Sequence, residues 1–226
     1  MKKAFTMMEL VFVIVVIGIL AAVVMPRTGS NRLNEAAIQV VSHIRYTQHL
    51  AVVDDEFNTS DPDWYRGKWQ IIFGTSNYTN NKLAYSIFSD APTYTGQPDK
   101  SEIAKNPLDS TRLLSGGYSG TLHIVTDANE VTKEMNIGQQ YGINNIVISG
   151  GNTGSSASRV AFDHLGRPYR GDISAVSVTS STSRLANSAI YIKFCLETCT
   201  APNASANNDN EVLIAIEPET GYAHIL

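Results

Sequence analysis

Residues 4–26 read AFTMMELVFVIVVIGILAAVVMP, an apolar run broken by one carboxylate, Glu9, near its start. Residues 5–25 make a stretch of 21, which as an α-helix rising about 1.5 Å per residue covers about 30 Å, the thickness of a bilayer's hydrocarbon core. The pattern predicts a membrane-spanning helix. Lys2 and Lys3 precede it and only Arg27 follows closely, so the positive-inside bias predicts one pass with a cytoplasmic N-terminus. Pro26 lacks a backbone donor and is expected to kink the helix. Beyond it, apolar residues recur at Leu33, Ala37, Val40, Ile44 and Ala51, widened by Ala36 and Val41, while Arg32, Asn34, Gln39, Arg45 and Gln48 occupy much of the rest. That near-helical spacing predicts an amphipathic continuation to about residue 54, one face in a globular core.

After Asp54-Asp55 the chain turns to loop formers. Short runs rich in Ile, Val, Phe and Tyr then follow at 68–73, 83–88, 121–125, 145–149, 159–162, 189–194 and 212–216, and read as strands. Residues 217–221, EPETG, between two apolar segments predict a terminal hairpin, and residues 163–171, DHLGRPYRG, a turn. The expected fold class is α+β: a long N-terminal helix, membrane-spanning in its first half and amphipathic in its second, packed on a mainly antiparallel β-sheet domain. Its parts are a transmembrane and assembly helix at 5–25, its amphipathic continuation at 26–54, and one β-rich globular domain at 55–226, with no internal repeat or second linker.

Glu9 is the anomaly. An ionised group at helix-centre depth costs about 2.5–3.5 kcal/mol on insertion scales, so it calls for a partner. A cleaved secretory signal has an apolar core of about 7–15 residues and an A-x-A-like site, whereas residues 10–25 are an unbroken apolar stretch of 16. A plain anchor fits the length but gives no reason for the carboxylate.

The segment Ala4-Phe5-Thr6-Met7-Met8-Glu9-Leu10 and the following VFVIVVIGILAAVVMP closely resemble the N-terminus of type IV pilins and type II secretion system pseudopilins. The resemblance implies that residues 1–4 are a leader removed between Ala4 and Phe5 by a prepilin peptidase, which N-methylates Phe5. Glycine is usual before the cut; here it is Ala4. The resemblance also implies a pilin-like fold, an inner-membrane anchor with a periplasmic C-terminal domain, and a structural subunit of a type IV pilus-like or pseudopilus filament. Implied partners are other pilin-like subunits, the peptidase, an inner-membrane assembly platform, and membrane lipid before assembly. Glu9 of an incoming subunit is expected to meet the N-terminus of its predecessor. A processed Phe5 carries an ammonium, charged even when methylated, and its attraction to Glu9 is far larger in low dielectric than in water. Gly18, Ala21 and Ala22 permit close helix approach. A weaker likeness, Phe162-Asp163 running into Gly166-Arg167-Pro168 and a closing Thr220-Gly221 hairpin, points to a minor pseudopilin.

Charge bears on a second reading, a minor pilin that binds DNA for uptake. The chain has 17 basic and 21 acidic residues, a net charge of −4, so phosphate contacts must come from a local cluster. The best candidates are Arg167, Tyr169 and Arg170 near Arg159, then Arg66, Lys68 and Trp69; the overall balance disfavours DNA as a partner. A third reading is a secreted or anchored effector with an incidental pilin-like start. Cys195 and Cys199 are the only cysteines. Outside the cytoplasm a disulfide is expected, with free thiols as the alternative, and without a nearby histidine they make a poor zinc site. His43, His49, His123, His164 and His224 form no spaced metal set, and no G-x-S-x-G elbow occurs. The glycine-rich residues 149–155 lack the ending of a phosphate loop. Asn207, Asn208, Asp209 and Glu211 read as a surface loop, calcium requiring about six to eight oxygens. No cofactor, metal or catalytic residue is expected.

Overall fold

The computed structural model describes residues 6–24, 28–54, 57–152, 158–180, 182–199 and 210–226; the side chains of 21–24, 28–31 and 179 are outside that description. Helix α1 is Met7–Val24 and helix α2 is Thr28–Val53. The α2 stripe of Leu33, Ala36, Ala37, Val40, Val41, Ile44 and Ala51 is buried, as a helix with apolar residues at three- and four-residue spacing must be when it lies on a core.

The long helix expected from the N-terminal pattern is corrected. Two helices of 18 and 26 residues stand in its place, and among the described residues no helix is long and apolar enough to cross a membrane. At about 1.5 Å per residue α1 reaches about 27 Å, short of the about 30 Å core; α2 has the length but only one apolar face. This overturns the single-pass inner-membrane placement, with its cytoplasmic N-terminus and periplasmic C-terminal domain, and the membrane-spanning half of the expected fold class. The class itself is α+β with antiparallel sheets. The cleavage residues Ala4 and Phe5 and the kink residue Pro26 lie outside the described residues.

The first sheet runs β2 (Ala84–Ser89), β1 (Trp69–Gly74), β4 (Arg159–Phe162) and β5 (Pro168–Arg170); the second runs β3 (Asn145–Gly150), β6 (Ile190–Cys195), β7 (Glu211–Ile216) and β8 (Ala223–Ile225), with every pairing antiparallel. Strand alternation decides what each face covers. Ile71 and Phe73 lie opposite Ile87 and Tyr85, and with Val160 and Phe162 they share one core with α2 and with Ile190, Ile192, Phe194, Val212, Ile214 and Ile216 of the second sheet. The rings of Phe73 and Phe194 meet between the sheets, their centroids 5.8 Å apart. On the other face of the first sheet, Ile72 and Phe88 pack with Ile103, Leu122, Ile124 and Val131 from the long connection after β2. That connection also occupies the free edge of β2: Ile87 N–H donates to Leu114 O and Ala104 N–H donates to Ile87 O, both at 2.9 Å, leaving no open ladder there. A short helix, α3 (Ile137–Tyr141), follows it.

Residues 121–125 are not the strand their alternation predicts. Leu122 and Ile124 are buried, but no ladder forms: Leu122 N–H donates to Ser119 Oγ and His123 N–H to the Asp127 carboxylate, each at 2.8 Å, and Ile124 N–H donates to the Tyr78 carbonyl at 2.9 Å, outside any strand. His123 is therefore in a turn. Conversely, the DHLGRPYRG segment is a turn that ends in β5, where Pro168 opens the strand, a position that tolerates its missing donor.

Gln48, on the less buried side of α2, ties down both C-terminal turns. Its Nε2 donates to Gly166 O at 2.8 Å and to Thr220 O at 2.7 Å. Beside it, Gly221 has φ +64°, and an added Cβ would sit 2.3 Å from Gly166 O. Gly221→Ala is expected to destabilise the protein by at least about 1–3 kcal/mol through strain at positive φ alone, with the backbone clash added. Thermal melting of the full chain reads this; an unchanged midpoint would contradict it.

Candidate functional site

Thr6-Met7-Met8-Glu9 has the T-x-x-E spacing of a capping box. Glu9 Oε2 accepts from Thr6 N–H at 2.9 Å and Thr6 Oγ1 at 2.8 Å, and Thr6 Oγ1 accepts from Glu9 N–H at 3.3 Å. The carboxylate also sits at the helix end whose dipole favours it. Thr6 is thus a partner that considering Glu9 as a solitary charge misses, although the T-x-x-E spacing announces it. Glu9 Oε1 takes no hydrogen bond from a described residue.

Residues 10–20 of α1 have no cover among the described residues. Residues 7–20 are exposed on every face, with Phe12 70 % and Ile19 61 % exposed, and a Cβ added at Gly18 would meet nothing within 4 Å. A helix apolar all round is one that something else buries, and a contiguous apolar surface of this kind marks an interaction site.

The proposed nucleic-acid contacts are engaged inside the fold. Asp163, 4 % exposed, accepts from Leu165 N–H at 3.0 Å and Arg167 N–H at 2.9 Å through Oδ1, and from Arg167 Nε at 2.9 Å and the Tyr169 hydroxyl at 3.3 Å through Oδ2. Burial, then the Asp163 charge, pushes the Tyr169 phenol up to about 12. Tyr169 packs with Ala161 and Ile173, and the Lys68 ammonium lies 5.3 Å from its ring centroid. Arg170 ties the two sheets together by donating to the carbonyls of Ile148, at 2.7 Å, and Gly150. Arg159 is 3 % exposed and faces Gln70 Oε1 at 3.3 Å and Asp172 at 3.4 Å. Arg66 donates to Val176 O at 3.2 Å and pairs with Asp63 at 3.3 Å, and Trp69 Nε1 donates to Asp54 at 2.7 Å. Sequence adjacency brings basic and aromatic residues together; the fold spends these as internal struts.

Cys195 and Cys199 form a disulfide with Cα atoms 5.3 Å apart, closing a tight loop at the end of β6. Asn207, Asn208 and Asp209 lie outside the described residues, and Glu211 is buried against Lys193, 3.4 Å away.

Among the described residues, Asp90 is the carboxyl held furthest from its ordinary behaviour by its setting. It is fully buried, and Gly96 N–H donates to its two oxygens at 2.9 and 3.0 Å. Burial pushes its pKa up to about 7, against the Gly96 bond and the Arg159 charge and aided by Glu102 and Asp172. The folded protein therefore holds a proton there over a range, from about 4 to about 7, in which the unfolded chain has released it. Stability from this group is full below about pH 4 and is lost as pH rises through 7. Asp90→Asn is expected to remove that slope and to melt higher than wild type at pH 8; identical melting profiles from pH 4 to 8 would contradict it.

No protein-family model, no curated protein and no solved structure matches this chain.

Proposed function

We propose that the chain is a structural subunit, not an enzyme, of a filament of the type IV pilus or type II secretion pseudopilus kind, assembled through α1. The observation that carries this is a helix exposed over residues 7–20 and apolar on all faces, whose single charge is Glu9, one carboxylate oxygen of which is engaged by no described residue. Copies of such a helix cover one another when bundled in parallel. The Glu9 charge, drawn into that bundle, needs a cation, and removal of residues 1–4 supplies one as the ammonium of Phe5. Pairing Glu9 of one subunit with the N-terminus of the next fixes a one-step stagger. Partners are then other pilin-like subunits, a prepilin peptidase and an assembly platform. The bulk of the connection between β2 and β3 favours a minor subunit, since a densely repeated one tolerates extra bulk less readily.

Intact-mass and N-terminal peptide analysis of the native protein tests the processing step. The expected product lacks residues 1–4 and carries a methyl group on Phe5. A product that retains Met1, or one that begins near Val23, would overturn it.

A further inference from the structure

We propose that the cleft between α2 and the loops around residues 106–112 and 132–134 binds a neutral, hydroxyl-rich ligand of the saccharide class. The cleft measures about 740 Å³, within the size range of small-molecule sites, and its chemistry is set by a chain of hydrogen bonds with a fixed direction. Gln39 Nε2 donates to the Glu134 carbonyl at 2.9 Å; a carbonyl only accepts, so this bond fixes which end of the amide is nitrogen. Gln39 Oε1 then accepts from the Tyr141 hydroxyl at 2.7 Å, and the second Nε2 proton goes to the Tyr85 hydroxyl at 2.8 Å. The Tyr85 hydroxyl is fully buried and has no other acceptor among the described residues, so its own proton goes to His43 Nδ1 at 2.7 Å. His43 therefore carries its proton on Nε2, and burial keeps the ring neutral by pushing its pKa down to about 4. Nε2 has no partner among the described residues, and His43 lines the cleft.

Charge and shape select the ligand. Asp109, Glu134 and Arg112 line the same cleft, and Arg112 is already paired with Asp109 at 3.1 Å. The carboxylate of Glu134 is left over, so anions are repelled, while the neutral His43 donor and the hydroxyls of Ser42 and Tyr46 offer donors and acceptors in alternation. Leu108, 95 % exposed, and the Tyr46 ring add apolar surface. Hydroxyl edges with an apolar C–H face are the complement of such a wall. An extended peptide is the poorer match, because the cleft is lined by helix and loop residues with no strand edge to offer a main-chain ladder. The filament reading is not needed for any of this.

Saturation-transfer NMR on the full chain in zwitterionic micelles tests it, with glucose, galactose, mannose, N-acetylglucosamine and their β-linked disaccharides as probes. N-acetylneuraminic acid and an N-acetyl tripeptide amide serve as anionic and peptide contrasts. Transfer to at least one neutral sugar is expected. Tyr46→Ala should weaken it tenfold or more in protein that is still folded at the temperature of measurement, with some fall in melting temperature because the ring also packs against the core. Leu108→Ser, at a position 95 % exposed, should weaken it without moving the melting temperature, and Tyr85→Phe, which removes the proton given to His43, should weaken it and change the His43 ring ¹⁵N shifts. Absence of transfer to every neutral sugar, indifference to Tyr46→Ala, or a stronger signal from either contrast probe would overturn the proposal.

Discussion

Glu9→Gln is expected to be processed like wild type and yet to enter filaments at about a hundredth of the normal level or less, with Glu9→Ala no better. Breaking one side of a buried ion pair costs about 3–5 kcal/mol, and about 1.4 kcal/mol is a factor of ten. The glutamine variant is the informative one. Glutamine at this position keeps the reciprocal acceptor of the capping box with Thr6 while removing the charge, so a role limited to capping predicts near-normal assembly. Thr6→Ala isolates the cap itself, worth about 1 kcal/mol, and should reduce assembly only modestly. Quantifying processed protein in sheared filaments against the cell-bound pool separates the two roles, and wild-type incorporation of Glu9→Gln would remove the pairing role.

Asp163→Ala should lower the melting temperature by about 6–20 °C. Its carboxylate is nearly inaccessible and gathers two backbone amides, the Arg167 guanidinium and the Tyr169 hydroxyl. Losing several charge-assisted hydrogen bonds at a buried site costs about 3–5 kcal/mol, and each kcal/mol is about 2–4 °C for a chain of this size. Arg167→Ala should cost far less, because the Arg167 side chain is one-third exposed at 34 % and water replaces part of what it loses. Near-equal losses from the two variants, or a melt of Asp163→Ala within about 2 °C of wild type, would show that the turn is held by something else.

The elements legible in the sequence are those whose periodicity maps directly onto a buried face. The stripe from Leu33 to Ala51 and the alternation in β1, β2, β4, β6 and β7 each name the residues that fill the core. Residues 121–125 have the right alternation and the wrong backbone, because Ser119 and Asp127 take the amides of Leu122 and His123 and the Tyr78 carbonyl, outside any strand, takes that of Ile124; periodicity reports burial, not ladder pairing. β5 escapes detection because its three residues sit inside a turn motif. Counting apolar residues alone overruns α1, since a helix begins where a cap sets it, here after Thr6. Arg167, Tyr169 and Arg170 show the limit most clearly: residue types give the charge, and only the fold shows that Asp163 and the β3 carbonyls have already taken it. The His43 relay was equally hidden, since Tyr85 and Tyr141 lie far along the chain from α2.

Photo-crosslinking from α1 in assembling cells tests the filament account most directly. With a photoreactive residue at Ile14, irradiation is predicted to join α1 to α1 of another pilin-like subunit, and Glu9→Gln should abolish the product. Adducts confined to the same chain, or to molecules that are not filament subunits, would contradict the account.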